Sequence, residues 1–331
     1  MKDEIGSLYW VISHRCNSQC DHCYMDCGPG SDALSFDEAR AVIDNLPDRI
    51  NYQIILSGGE VLHPKNRDLL FFVADGLQKK YGHRPLAIQT NGDFLNEKII
   101  DDCVHHNITH LSIASMDEHH RSKYGSIREK RRALRSMLKG KGLVEMHPTP
   151  VLTPGKVARR SRLLKAVHMV AKNIRFKPSF TFWGANEEIW LKGNWARGRA
   201  LKNGKTLYHS SHNFCNLWSG GLNFLKTGSP LQEVAVQLSY AFPCCPCSRV
   251  ALADLREEQL VCALERASRH SMFRAINIGR PYLGASRGGL TPSGAHRRWK
   301  ELKNICQMCD EIIVQQTKGE FPLSPLDIYS N

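Results

Sequence analysis

The sequence lacks any long hydrophobic run, which a membrane-spanning helix would require. No stretch approaches the roughly 18 to 20 consecutive apolar residues that cross a bilayer. The first six residues include the charged Lys2, Asp3 and Glu4 and do not lead from a basic segment into an apolar one, so they do not resemble a secretion signal. Internal repeats, coiled-coil heptads and low-complexity tracts are missing as well. We therefore expect a cytoplasmic protein that does not associate with membranes.

Acidic side chains are the minority among the charged residues. The 331 residues include 45 Lys and Arg against 32 Asp and Glu, which gives a net charge of +13 with His neutral. A basic excess suits an anionic substrate or a nucleic acid. No recognisable nucleic-acid-binding module accompanies it, so we rank RNA below a small molecule as the substrate. A chain of this length needs no disulfide staples, and its 12 cysteines point instead to metal or redox chemistry.

The first half of the chain alternates short β-rich runs with helical segments. We predict strands over residues 8–13, 52–57, 86–90, 110–114, 143–148 and 174–180, with five helices between them. This alternation predicts an α/β fold with a parallel sheet, open or curled towards a barrel, whose ligands bind at the carboxyl ends of the strands. The rhythm breaks after residue 182, so we place one domain over 1–182 and a smaller one over 183–331.

A first group of cysteines follows the first predicted strand directly. Cys16, Cys20 and Cys23 fall within eight residues, and Cys27 comes soon after. Thiolates are the preferred ligands of iron–sulfur clusters. Three of them would leave one iron of a [4Fe–4S] cluster open for chemistry. With Cys27 as a fourth ligand, the same loop would hold an ordinary four-thiolate cluster or a zinc ion, and the spacing alone leaves these alternatives open.

Four motifs in order resemble the radical S-adenosylmethionine (radical SAM) enzymes. They are the Cys-x3-Cys-x2-Cys triad, then Ser-Gly-Gly-Glu, Thr-Asn-Gly and Ser-Met-Asp after the second, third and fourth strands. The resemblance implies a partial (β/α)6 barrel over about the first 180 residues, with a [4Fe–4S] cluster on the triad and Cys27 not ligating. It implies SAM contacts from these residues: His22, Gly58, Gly59, Glu60, Asn91, Ser115 and Asp117.

The activity that the resemblance implies is radical chemistry. The cluster and an electron donor of the flavodoxin or ferredoxin type cleave SAM to a 5′-deoxyadenosyl radical, which abstracts a hydrogen atom from the substrate. In the family, the Gly-Gly-Glu segment holds the methionine amino group. The hydroxyl of Ser115 and the carboxylate of Asp117 suit the ribose hydroxyls or the amino-acid end of SAM.

A second group of cysteines lies beyond residue 210. Cys306 and Cys309 have a strong metal-ligand spacing, and on geometry alone zinc is the leading candidate. The pattern of this region resembles the SPASM/twitch extension of radical SAM enzymes, which implies an α+β domain with one auxiliary [4Fe–4S] cluster. The implied ligands are these two cysteines with Cys215 and Cys244, and Cys245 is the rival of Cys244.

Three other cysteines have separate expectations. We expect Cys103 and Cys262 to be core residues. Cys247 follows a proline in a loop, and we hypothesise that it donates a hydrogen atom to a product radical.

The basic residues add a prediction about the substrate. We expect Arg175 and Lys177, at the end of the sixth strand, and Arg197 and Arg199 to hold an anionic group. The basic run 123–141, which includes Arg128, Lys130, Arg131, Arg132 and Arg135, is expected to be a solvated helix face.

The expected function is oxidation or epimerisation of a small polar, anionic natural-product intermediate such as a sugar, cyclitol or nucleoside. The alternatives are a SPASM-type ribosomal-peptide maturase and a non-catalytic iron–sulfur electron carrier or zinc protein.

Overall fold

The structure is a computed structural model, and it describes ten stretches of the chain. These are residues 3–82, 85–120, 125–146, 177–185, 195–206, 209–217, 223–226, 232–243, 248–286 and 290–324. Four of the predicted site residues lie outside them: Arg175, Cys244, Cys245 and Cys247.

The strands of the described residues are β1 (Glu4–Ile5), β2 (Ser7–Ser13), β3 (Arg49–Ile50), β4 (Ile54–Gly58), β5 (Leu86–Thr90), β6 (His110–Ile113), β7 (Val144–Glu145), β8 (Ser179–Phe182), β9 (Glu233–Gln237), β10 (Tyr240–Phe242) and β11 (Ala253–Asp254).

One large sheet organises the fold. Its spatial order is β11-β10-β9-β2-β4-β5-β6-β8-β7, and the seven strands from β9 to β7 run parallel, while β10 and β11 run antiparallel. A separate two-stranded sheet pairs β1 with β3. The mixed α/β class with a parallel sheet is confirmed.

Helices follow strands of the parallel sheet, and their buried apolar side chains form part of the core. The first helix begins at a capping box, in which Ser35 and Glu38 satisfy each other's backbone N–H groups. Its buried face packs with Leu8, Trp10 and Ile12 of β2 in one apolar core. The helices are α1 (Phe36–Asn45), α2 (Arg67–Tyr81), α3 (Glu97–His105), α4 (Ile127–Gly140), α5 (Gly198–Lys202), α6 (Phe214–Leu217), α7 (Leu260–Arg269), α8 (Ser271–Asn277), α9 (Pro292–Leu302) and α10 (Ile305–Thr317). In the part of the chain that the structure describes, no helix is long and apolar enough to cross a membrane.

Strand order differs from the sequential order of a (β/α)6 barrel in one place. Strand β8 lies between β6 and β7, so that its Ser179 pairs with both His110 and Val144. Strand β9, from the second predicted domain, pairs in parallel with β2 at the other side. The two predicted domains therefore contribute strands to the same sheet.

Helix α4 carries a buried charge where we expected a solvated basic face. Lys130 is fully buried, four residues before Leu134 on the face that packs inwards. Its Nζ donates to Asp93 Oδ1 at 2.9 Å and to Ser115 Oγ at 2.7 Å. The prediction was wrong for this residue, because the buried carboxylate of Asp93 provides a partner that the helix pattern does not reveal. The contacts tie α4 to the segments that follow β5 and β6.

Removing this buried cation should destabilise the protein. Lys130→Met leaves the Asp93 carboxylate buried without its cation, so we expect the free energy of unfolding to fall by about 3–5 kcal/mol. The exposed Arg132 on the same helix offers a matched control, and Arg132→Met should change this free energy by less than about 0.5 kcal/mol. Urea unfolding of both variants makes the comparison, and equal losses would contradict a special role for Lys130.

Candidate active site

The first cysteine group lies on a loop at the carboxyl ends of the parallel strands. This cysteine loop, residues 14–28, follows β2 and packs against the end of β4. Cys16, Cys20 and Cys23 line a half-open cavity of about 110 Å³ together with Gly58 and Gly59. We call this space the loop cavity. Its position agrees with the expectation that ligands bind beyond the carboxyl ends of parallel strands.

The glycine pair is needed because the cysteine loop passes directly over it. A Cβ on Gly58 would lie 2.2 Å from the carbonyl oxygen of Ser13. A Cβ on Gly59 would lie 2.5 Å from the carbonyl oxygen of Arg15 and 2.7 Å from Cβ of Cys16. The backbone N–H of Gly59 also donates to Ser13 O at 2.8 Å. These contacts fix the first cysteine against the strand end, and only glycine leaves room for them.

Burial and hydrogen bonding set the pKa values of the three thiols apart. Burial raises the pKa values of the Cys16 and Cys20 thiols to about 12 each, so these groups ionise readily only beside a cation. The pKa of Cys23 is instead lowered to about 6, chiefly by a hydrogen bond from the Cys27 thiol. Three thiols on one cavity wall fit the donor set of an iron–sulfur cluster.

Cys27 is buried and contacts Cys23. Its backbone N–H donates to Cys23 Sγ at 3.4 Å, in addition to the thiol hydrogen bond. This contact gives Cys27 an interaction with the triad that does not require it to bind metal. Its predicted exclusion from the ligand set stays a prediction.

The Glu60 side chain is engaged within the protein. Its carboxylate accepts from Thr90 Oγ1 at 2.7 Å and from the backbone N–H groups of Asn91 and Leu62 at 2.6 and 2.9 Å. Burial raises its pKa to about 7 despite these hydrogen bonds. Glu60 thus links the ends of β4 and β5, and it is the backbone of Gly58 and Gly59 that lines the loop cavity.

Asn91 and Ser115 differ in where they lie relative to the loop cavity. Asn91 lines the loop cavity, and its side-chain amide donates to Asn17 Oδ1 of the cysteine loop at 2.8 Å. The Ser115 hydroxyl donates to the carbonyl oxygen of Asn91 at 2.5 Å and accepts from Lys130. Ser115 therefore supports the wall of the cavity and is not part of its lining.

Asp117 holds a histidine at the cavity. Its carboxylate lies 2.8 and 2.9 Å from Nδ1 of His120 and accepts from the backbone N–H of Ala185 at 2.6 Å. Burial raises the pKa of Asp117, but the hydrogen bonds, first among them that from His120, outweigh burial and hold it below its usual range. His120 lines the cavity beside the ring of His22, with ring centroids 4.7 Å apart. Burial lowers the pKa of His22 to about 4.

Sequence reasoning missed a polar group on the inner face of the sheet. The Tyr9 hydroxyl lies 2.8 Å from Ser57 Oγ and 2.9 Å from Gln89 Oε1, and all three side chains line the loop cavity. The signal was present in the alternation of β2, β4 and β5, where polar residues occupy positions on the face opposite the apolar core.

The described basic residues that were predicted to hold substrate form ion pairs within the protein or lie away from the loop cavity. Arg197 is fully buried in an ion pair with Asp310, because this partner, 113 residues away, packs against it. Lys177 is exposed and precedes β8, which begins at Ser179, so it lies at the end of the strand opposite the loop cavity. These two predictions were wrong. Arg199 lines the cavity but forms an ion pair with Asp26 at 2.5 Å.

The second cysteine group meets at another cavity. Cys215 of α6 and Cys306 and Cys309 of α10 line a small, partly closed space of about 20 Å³, which we call the C-terminal cysteine cavity. Most of its other lining side chains are apolar, and Ser248, which directly follows Cys247 in the sequence, is also part of the wall. Three thiols around one space again fit an iron–sulfur or zinc site. Cys103 is buried as expected, whereas Cys262 is exposed on α7, so that expectation was wrong.

Comparison with known proteins relates the stretch that carries the cysteine loop to a family. Residues 10–155 match the family model described as the Radical SAM superfamily. These residues belong to the radical SAM superfamily. The superfamily uses a [4Fe–4S] cluster with SAM, so the prediction of these two cofactors is confirmed. Radical SAM enzymes also need an electron donor as reductant.

Two relatives match the chain over short stretches. The chain is 27% identical over 92 residues, 27% of its length, to the antilisterial bacteriocin subtilosin biosynthesis protein AlbA of Bacillus subtilis. It is 33% identical over 106 residues, 30% of its length, to an uncharacterized protein of Methanocaldococcus jannaschii. The matches span 19% and 35% of those two proteins.

Solved structures with bound AdoMet resemble the chain at a low level. A crystal structure of BtrN in complex with AdoMet and 2-DOIA is 14% identical, with a TM-score of 0.46, over 84% of this chain and 89% of that one. A structure of anSMEcpe with bound AdoMet is 14% identical, with a TM-score of 0.44, over 95% and 97% of the two chains. Scores of this size carry no argument about substrate.

Filling the space above Gly59 should selectively remove the cluster on the cysteine loop. Gly59→Ala places a methyl group 2.7 Å from Cβ of Cys16, so we expect reconstituted iron to fall by about four atoms per chain. Gly30→Ala, on the segment that follows the loop, has no atom within 4 Å of the new methyl group and should keep its iron. Iron analysis after anaerobic reconstitution measures both, and full iron in Gly59→Ala would show that the close approach is not required.

Proposed function

We propose that the chain removes a hydrogen atom from a small polar molecule bound over the inner face of the sheet, which is then oxidised or epimerised. One observation supports this most directly. The loop cavity is lined both by the three cysteines of the radical SAM triad and by the hydrogen-bonding group of Tyr9, Ser57 and Gln89. A single space thus offers a place for the radical-forming cofactors and a place for a polar substrate.

The residues around the cysteine loop would hold the cofactors. Cys16, Cys20 and Cys23 would bind the cluster, and the backbone at Gly58 and Gly59 would contact the amino-acid end of SAM. When bound, these cofactors supply a 5′-deoxyadenosyl radical. The protein's own contribution is to orient the substrate and to exclude water from this space.

The polar inner face favours a hydroxyl-bearing substrate. Burial raises the pKa of Tyr9 to about 12, so its hydroxyl remains a neutral hydrogen-bond donor at neutral pH. The Ser57 hydroxyl and the Gln89 amide are neutral as well. Arg199, the arginine on the cavity wall, is ion-paired with Asp26. The described residues therefore favour sugar, cyclitol or nucleoside hydroxyls over an anionic group.

The C-terminal cysteine cavity supports a second cofactor. Cys215, Cys306 and Cys309 would hold one auxiliary [4Fe–4S] cluster, with the fourth ligand drawn from Cys244 or Cys245. When bound, such a cluster supplies an acceptor for one electron. An acceptor favours oxidation, and epimerisation would need a hydrogen donor such as the one hypothesised at Cys247.

Peptide maturation is the second candidate. The similarity to the bacteriocin biosynthesis protein AlbA favours it, although the match covers 27% of this chain. The hydrogen-bonding group of Tyr9, Ser57 and Gln89 in the loop cavity favours a small polar molecule.

Substrate classes separate these candidates. The anaerobically reconstituted chain, with SAM and reduced flavodoxin, is incubated in deuterated water with amino sugars, cyclitols, nucleosides or a cysteine-containing peptide. We expect a hydroxyl-bearing small molecule to raise 5′-deoxyadenosine formation at least tenfold over the substrate-free rate. The product is then analysed by mass spectrometry.

The outcomes decide both class and reaction. Loss of two hydrogens marks oxidation, and one deuterium on carbon at unchanged oxidation state marks epimerisation. Stimulation by the peptide alone would contradict the small-molecule proposal and support the maturase. The absence of any 5′-deoxyadenosine would contradict the enzymatic proposal itself.

A further inference from the structure

A short segment between β8 and β9 forms hydrogen bonds and an ion pair with the cysteine loop. We call residues 195–200 the clasp. Within it, Arg199 Nε donates to the carbonyl oxygen of Cys20 at 3.1 Å, and its guanidinium also donates to the carbonyl oxygen of Cys27 and pairs with Asp26. A guanidinium presents several donors in a rigid planar fork, so one side chain holds three points of the loop.

The backbone of the clasp also contacts the cysteine loop. Ala200 N–H donates to the carbonyl oxygen of Cys23 at 3.2 Å. Gly198 has a φ of +48°, and a Cβ there would lie 2.8 Å from the carbonyl oxygen of Tyr24 and 3.0 Å from that of Cys23. This close approach in a left-handed conformation requires glycine.

The other end of the clasp is anchored beside the second cysteine group. Arg197 Nη1 lies 2.6 Å from Asp310 Oδ2, and its Nη2 lies 2.8 Å from Oδ1. Both side chains are almost completely buried, at 1% and 5% exposure. Asp310 directly follows Cys309 on α10, so the ion pair fixes the clasp to the helix that carries two predicted ligands. Separating such a pair would leave an uncompensated buried charge.

An aromatic contact joins the two cavities at the same place. Trp195 lines the C-terminal cysteine cavity, and Tyr24 lines the loop cavity. Their ring centroids are 4.8 Å apart. The clasp therefore touches both sites, with Trp195 and Arg197 on one side and Arg199 on the other.

We propose that the clasp couples the two cysteine sites, so that metal in the C-terminal cysteine cavity holds Arg199 against the cysteine loop and thereby tunes the cluster on Cys16, Cys20 and Cys23. The inference rests on the proposed function, because it needs a cluster in each site. Arg199 acts as a positioning residue. Its guanidinium donates to the carbonyl oxygens of Cys20 and Cys27, which places its positive charge beside the loop that carries the three predicted ligands.

Charge near an iron–sulfur cluster changes its reduction potential. Reduction adds a negative charge to the cluster, so a fixed cation stabilises the reduced form and raises the potential. Loosening Arg199 should therefore shift the potential of the loop cluster to more negative values. A purely structural role for the clasp would change only how much cluster is retained.

The test measures the potential of the loop cluster by EPR-monitored redox titration of the full, reconstituted chain. We expect a negative shift in Arg199→Gln, in Asp310→Asn and in the double variant Cys306→Ser/Cys309→Ser. Arg199→Lys, which keeps the charge, should recover most of the shift. In the Arg199→Gln background, Asp310→Asn should add little, because both act through one contact.

Matched controls exclude general effects. Glu311→Gln changes the charge of the next residue on α10, whose carboxylate is exposed and pairs with Arg298, and it should leave the potential unchanged. Lys202→Gln removes a positive charge from α5 that lies 3.7 Å from Asp26 of the cysteine loop, but the lysine side chain is 44% exposed, and solvent screening should make its effect small.

Two results would overturn the coupling. One is an unchanged loop-cluster potential in both Asp310→Asn and the double cysteine variant. The other is a shift in Asp310→Asn that adds fully to that of Arg199→Gln. Circular dichroism of each variant reports folding, so that a misfolded variant is recognised, and the remaining variant then decides. If the wild-type chain binds no cluster on the loop, the result contradicts the proposed function, and with it the coupling that rests on that function.

Discussion

The arrangement depends on the close packing of the cysteine loop over Gly58 and Gly59. The backbone of the loop lies so near these residues that a side chain on either would meet the carbonyl oxygens of Ser13 or Arg15. Parallel strands supply this platform, because their carboxyl ends meet at one edge where loops from several strands converge. The glycine pair fixes one side of the loop, and Arg199 fixes the other through the carbonyl oxygens of Cys20 and Cys27.

The two cysteine sites differ in the environment that they offer. The loop cavity is half open and includes the polar group of Tyr9, Ser57 and Gln89, as suits a space that receives a polar molecule. The C-terminal cysteine cavity is smaller and less open, and its walls are mostly apolar, as suits a metal site without a substrate. This contrast supports a division into a reactive site and an electron-accepting one.

Motifs predicted the parts of the site that depend on local sequence. The cysteine triad, the glycine pair and Asn91 all line the loop cavity as the motifs indicated. The misjudged residues depend on partners distant in sequence. Lys130 and Arg197 are buried because Asp93 and Asp310 pack against them, and no local pattern reveals such pairs. The position of β8 between β6 and β7 is likewise a matter of pairing, which the order of the strands along the chain does not determine.

The most direct test of the account is the iron content and SAM chemistry of the anaerobically reconstituted chain. Two [4Fe–4S] clusters predict about eight irons per chain, and reduction in the presence of SAM should release 5′-deoxyadenosine. Cys23→Ser should abolish this release, whereas Cys27→Ser should retain it. About four irons without SAM cleavage, or equal loss in the two variants, would contradict an open-site cluster held by Cys16, Cys20 and Cys23.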